Sequence, residues 1–75
     1  MNRLKVKDAA DLQSNIAIKG FSQVLFSKEI GITSPYLSMV LRGKRNPSPI
    51  LAKKIADKLG VEVEDIFFIE EYRKS

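Results

Sequence analysis

The stretch Phe21–Pro47 reads FSQVLFSKEIGITSPYLSMVLRGKRNP: two short helical patterns separated by a glycine, the second followed at once by basic residues. Ser22 has the character of an N-cap, and Phe21 before it with Phe26 four positions into the helix predicts a hydrophobic staple. The first helix is expected over Gln23–Ile30, with Phe26 and Ile30 on one face, and it ends at Gly31, where the turn needs positive φ. The second turns Leu37, Val40 and Leu41 inward and Ser34, Pro35, Ser38, Met39 and Arg42 outward, with Tyr36 at the flank and Gly43 at its close. Pro35 favours Ser34 as its N-cap, with the proline at the first helical position. A pair this short cannot bury its apolar residues alone, so the flanking segments must complete the core.

Those segments read simply. Leu4 and Val6 alternate with Arg3, Lys5 and Lys7, which fits a short strand or a mobile basic arm. Asp8 and Asp11 resemble a capping pair for a helix with Ala9, Leu12 and Ile16 on one side, stopping at Gly20. Asn46-Pro47-Ser48-Pro49 is a turn in which Ser48 caps, and Pro49 starts, a helix with Leu51, Ala52, Ile55, Ala56 and Leu59 on one face. Gly60 ends it. Val63, Ile66 and Phe67 suggest a last short helix, Phe68 and Ile69 extend the apolar run, and residues 70–75 are expected to fray. The reading is one all-α domain of five short helices over residues 1–75, its core about 8–68 and its termini flexible.

At 75 residues the chain is near the lower limit for a core without disulfides or metals. Cysteine and histidine are absent, which excludes disulfides, zinc fingers, thiolate nucleophiles and imidazole bases. No acid–base or nucleophile pair is apparent, so no enzyme, cofactor or small-molecule ligand is expected. With no membrane-length apolar run and no signal-peptide core, a soluble, intracellular chain is expected. The net charge of +4 is unevenly spread: Arg42–Lys58 carries six basic residues against Asp57, whereas Glu62–Glu71 carries five acids and no base. Such asymmetry suits a surface for a polyanion.

Ser27 is small where two helices must cross closely, and with Gly31 it gives Gln23–Arg42 the spacing of a helix-turn-helix. That geometry leaves the outer face of the second helix free to enter a DNA major groove. The chain resembles the phage-repressor, Cro/XRE-type family of helix-turn-helix DNA-binding domains. The likeness rests on Phe21-Ser22-Gln23, Phe26-Ser27, Ile30-Gly31-Ile32-Thr33, Leu37, Val40 and Arg42 through Ser48. It continues through Ile55-Ala56, Leu59-Gly60-Val61 and Asp65-Ile66-Phe67, so it covers roughly residues 8–68.

The resemblance implies a five-helix, lambda-repressor-like fold and a sequence-specific regulator, usually dimeric, on a two-fold operator in double-stranded DNA. A small phage- or mobile-element-type repressor in the bacterial cytoplasm is expected. By position it puts the N-cap of the second helix at Thr33, against the Ser34 that Pro35 favours, and implies that Ser34, Pro35, Ser38, Met39 and Arg42 read bases. It places Ser22, Gln23, Thr33, Tyr36, Lys44, Arg45 and Asn46 against phosphates. The base-reading set is poor in hydrogen-bonding groups: Pro35 donates nothing, and Met39 offers apolar contact such as a thymine methyl accepts. Arg42 alone could hold guanine bidentately, or it reaches only a phosphate.

Two departures from the family pattern stand out. Many members pair an Arg in the first helix with a Glu near the end of the third, and the corresponding positions here are Ile16 and Leu41, so packing replaces an ion pair. Val24 and Leu25 stand where polar residues are usual. One of them is expected to pack under the N-terminal segment with Leu4 or Val6; the alternative is an exposed partner patch. Phe67, Phe68, Ile69 and Tyr72 are the candidates for a dimer surface, with sealing of the core as the competing role for Phe67. The competing function is a protein-interaction module of the same fold, such as an antitoxin, with Val24, Leu25 and the acidic tail facing the partner.

Overall fold

The computed structural model describes residues 2–71 of the chain. Its elements run β1 (Asn2–Val6), α1 (Ala9–Ile18), α2 (Gln23–Ile30), α3 (Ser34–Leu41), α4 (Pro49–Leu59), α5 (Val63–Ile66) and β2 (Phe67–Glu71). The helix starts follow the capping signals. Asp8, Ser22 and Ser48 accept hydrogen bonds from the amides of Asp11, Leu25 and Leu51 at 3.0, 3.1 and 3.1 Å. Each satisfies an amide that the first helical turn would otherwise leave without a partner. Phe21 and Phe26 meet edge to face with ring centroids 5.3 Å apart, the staple that fixes how the chain enters α2. Gly31 takes φ 79°, a left-handed conformation open to glycine at no steric cost, and turns the chain from α2 towards α3.

The five helices close on one core of Leu12, Ile16, Phe26, Ile30, Leu37, Val40, Leu41, Leu51, Ala52, Ile55, Ala56, Leu59, Ile66 and Phe67. Ile16 and Leu41 are both buried within it, so apolar packing stands where an ion pair would need full compensation for its desolvation. Ser27 is the one buried polar residue among those described, and its hydroxyl donates to the Val24 carbonyl at 2.7 Å. A small side chain there lets α2 approach its neighbours without leaving a polar atom unpaired.

Three expectations change. The choice at the start of α3 falls on Thr33: its Oγ1 accepts from the Tyr36 amide at 3.2 Å, and its carbonyl accepts from the Leu37 amide at 3.0 Å. Pro35 lies one residue further in, still within the first turn, where a missing N–H costs nothing. Second, the N-terminal segment is a strand. It pairs antiparallel with β2 in the register Arg3↔Glu70, Leu4↔Ile69, Lys5↔Phe68 and Val6↔Phe67, so Glu70 and Glu71 belong to a strand rather than a frayed end. The chain becomes extended at Phe67 (φ −127°, ψ 158°), where the aromatic and β-branched run Phe67-Phe68-Ile69 suits a strand. Third, Val24 and Leu25 are both exposed, at 53% and 45%. Leu4 and Val6 pair with Ile69 and Phe67 instead, which leaves nothing of the N-terminal segment for the α2 residues to pack under.

Candidate nucleic-acid interface

Leu37 and Val40 are fully buried and fix α3 on the core, with Leu41 behind them. What α3 turns outward is the stripe of Ser34, Pro35, Ser38, Met39 and Arg42. Pro35, Met39 and Arg42 are exposed, while Ser34 and Ser38 are half-buried. The first turns of α2 and α3 lie side by side. Gln23, the first residue of α2, points its Nε2 at the carbonyl and hydroxyl of Ser34, at 3.4 and 3.5 Å. That amide is thereby held next to the N-terminal amides of both helices, a place suited to an anion. Arg42 folds back along α3, its Nε donating to the Ser38 carbonyl at 3.4 Å.

After Arg42 the chain turns at Gly43 (φ 75°) and doubles back on α3. The amides of Lys44 and Arg45 both donate to the Met39 carbonyl, at 2.8 and 3.3 Å. One carbonyl thus ties the basic loop to the middle of the outward stripe. The Arg45 guanidinium lies 5.9 Å from the centroid of the Tyr36 ring, within cation–π range. Tyr36 and Arg45 come together at the stripe's flank, and Asn46 follows, exposed. Ser22 and Thr33 spend their hydroxyls on capping.

Four of the described basic side chains are paired with carboxylates. Arg3 and Lys5 share Glu70 at 3.5 and 3.9 Å, Lys58 holds Glu29 at 2.8 Å, and Lys53 holds Asp57 at 3.0 Å. The hydrogen bond to Asp57, and then its charge, raise the Lys53 ammonium above the usual lysine value. Among the described residues no carboxylate pairs with Arg42, Lys44 or Arg45. Among the described residues, then, no carboxylate compensates the positive charge beside α3.

The residues expected at a dimer surface are split. Phe67 is 1% exposed and belongs to the core, because Val6 and the α5 turn enclose it; that assignment is withdrawn. Phe68 and Ile69 are exposed at 43% and 62%. They lie on opposite faces of the two-stranded ribbon, as neighbours along a strand must. Tyr72 lies outside the described residues. Sequence reading missed a groove of about 740 Å³ between the ribbon and the 46–49 turn, lined by Leu4, Tyr36, Pro47, Pro49, Val63 and Ile69 among others. Its walls come from parts of the chain with no shared periodicity, so no local signal could have revealed it. Among the described residues no group of acids could hold a metal ion, and no helix is long and apolar enough to cross a membrane.

An exposed helix on a helical scaffold, bracketed by a glutamine amide and an unpaired basic loop, defines a DNA-binding domain of the helix-turn-helix class. The Helix-turn-helix family matches residues 18–66. The chain is similar to YqaF of Bacillus subtilis, an uncharacterised HTH-type transcriptional regulator. They are 41% identical over 51 residues, covering 68% of this chain and 67% of that one. Among solved structures it is similar to the restriction-modification controller protein C.AhdI of Aeromonas hydrophila. Identity is 30% and the TM-score 0.68, over 76% of this chain and 86% of that one. The clp gene regulator ClgR of Corynebacterium glutamicum gives the same identity and TM-score, and the chain spans 61% of its length. The chain belongs to the helix-turn-helix family of DNA-binding transcriptional regulators.

Proposed function

We propose that this regulator acts by occupying an operator in double-stranded DNA, as a small phage- or mobile-element-type repressor in the cytoplasm. α3 lies in the major groove, Gln23 sits on a phosphate beside Ser22 and Thr33, and Tyr36, Lys44, Arg45 and Asn46 hold the backbone on the other side. The observation that carries this is the basic loop pinned to the Met39 carbonyl, with Arg42, Lys44 and Arg45 bound to no carboxylate among the described residues. Phosphate contacts set the register of α3 and supply most of the affinity, while the outward stripe supplies discrimination.

Titration against duplex from the protein's own upstream region and against a scrambled duplex, at two salt concentrations, tests the reading. Tighter binding to the native duplex is expected, and equal affinities for both would overturn it. A Lys44→Ala, Arg45→Ala double variant should bind both duplexes more weakly, with a log K against log salt slope shallower by about two for each bound protomer.

A single module of this size has a small interface, and a two-fold pair doubles the readout. We assign the pairing surface to the face of the ribbon that carries Phe68; Ile69, on the opposite face, lines the groove it shares with Tyr36. Sedimentation of Phe68→Glu checks this, and an unchanged association constant excludes that role for Phe68. A second reading, a protein-interaction module such as an antitoxin, has the exposure of Val24 and Leu25 in its favour. Loss of partner capture in a Val24→Ser, Leu25→Ser variant that still binds DNA would support it.

A further inference from the structure

The outward stripe of α3 has an unusual chemical balance for a surface that meets base edges. Of its hydrogen-bonding groups, the Ser34 hydroxyl lies 3.5 Å from Gln23 Nε2, the Arg42 Nε is bonded to the Ser38 carbonyl, and the Ser38 hydroxyl is half-buried. The exposed side chains of the stripe before Arg42 are Pro35 and Met39. Neither can donate a hydrogen bond, and a thioether accepts only weakly. In the major groove the four bases offer acceptors, donors and one apolar group, the 5-methyl of thymine.

We infer that Pro35 and Met39 select thymine by its 5-methyl group, so that the operator half-site is specified at its centre by methyls rather than by hydrogen-bonded base edges. This rests on the DNA-reading role assigned above. The selection has an attractive and a repulsive side. A thymine methyl against Pro35 or Met39 leaves water without losing any hydrogen bond. A guanine O6, an adenine N6 or a cytosine N4 in the same place would be desolvated with no partner. The main chain also fixes where the reading happens. The Met39 carbonyl holds the amides of Lys44 and Arg45, so the phosphate-binding loop and the Met39 side chain keep a constant offset along the groove. Arg42 then discriminates at the end of the site, and Ser38 fills in between.

The test uses the full chain and duplexes it enriches from a random-sequence pool. Each thymine of the enriched site is replaced in turn by deoxyuridine, which keeps the base pair and removes only the methyl. At one or two positions per half-site the affinity should fall by about fourfold, the effect of one buried methyl. Met39→Ala and Pro35→Ala should each abolish the uracil penalty at one of those positions. Both variants should fold, since Met39 keeps its carbonyl and Pro35 lies in a first turn that needs no amide partner, and circular dichroism checks this. Equal affinity for uracil and thymine duplexes at every position, or a penalty unchanged in both variants, overturns the inference while leaving DNA reading intact. Failure to enrich any sequence, with no duplex bound, overturns both together.

Discussion

In the α2–α3 unit each helix start is closed by a residue three positions away, and the turn between them by Gly31. Ser22 takes the amide of Leu25 and Thr33 that of Tyr36. In the β1–β2 ribbon the partners are separated by nearly the whole chain, and the side chains of its ion pairs Arg3–Glu70 and Lys5–Glu70 are all at least one-third exposed. The first unit is held by a buried core beneath and satisfied caps at its ends. The second is held by backbone pairing, one buried aromatic at its root, and surface charges that solvent screens. The two units are thus held by different means, yet both leave apolar side chains open, Val24 and Leu25 on the first and Phe68 and Ile69 on the second.

Substitutions can break or sharpen that contrast. The largest effect is expected for Phe26→Ala, which empties the centre of the core under α2 and should cost about 3–5 kcal/mol in urea unfolding. For a domain of this size that is most of its stability. Phe67→Ala should come close behind at about 3 kcal/mol, whereas Phe68→Ala, one residue on, should cost under about 1 kcal/mol. A comparable loss for both would mean the ribbon is buried in the free protein. Gly31→Ala should cost about 1–2 kcal/mol through its left-handed backbone alone, because nothing lies within 4 Å of the added Cβ. Ser22→Ala should lower stability by about 1 kcal/mol with the cap it removes. Smallest of all, Glu70→Gln should change the thermal midpoint by an amount worth under about 1 kcal/mol, and less still at high salt.

The same contrast decides what could be read from the residues alone. Ser22, Phe21 with Phe26, Gly31, Ser48-Pro49 and Gly60 are signals that act within a few positions, and the helices lie where those signals put them. Val6 facing Phe67 is a pairing that no local pattern encodes, so the strand stayed one of two options and its partner was invisible. For Val24 and Leu25, hydrophobicity marked a face but not what covers it, and the guessed neighbours Leu4 and Val6 were already engaged. At the candidate site, the outward stripe was legible from helical spacing. The contacts of Gln23 with Ser34 and of Arg45 with Tyr36 were not, because they depend on how α2 and the basic loop lie against α3. The two candidate caps of α3 differ by one residue; Pro35 favours Ser34 locally and the family resemblance implies Thr33, and the hydrogen bond to Thr33 separates them.

The stacking of Arg45 on Tyr36 makes the protein its own optical probe. The chain has no tryptophan and only two tyrosines, and one of them lies where α3, the basic loop and the groove meet. A guanidinium drawn off the ring towards a phosphate, or a sugar laid against it, changes the surroundings of that phenol. In a Tyr72→Phe background the ultraviolet emission of the whole molecule comes from Tyr36 alone. If DNA occupies the loop as proposed, that emission reports it in unlabelled protein, in real time.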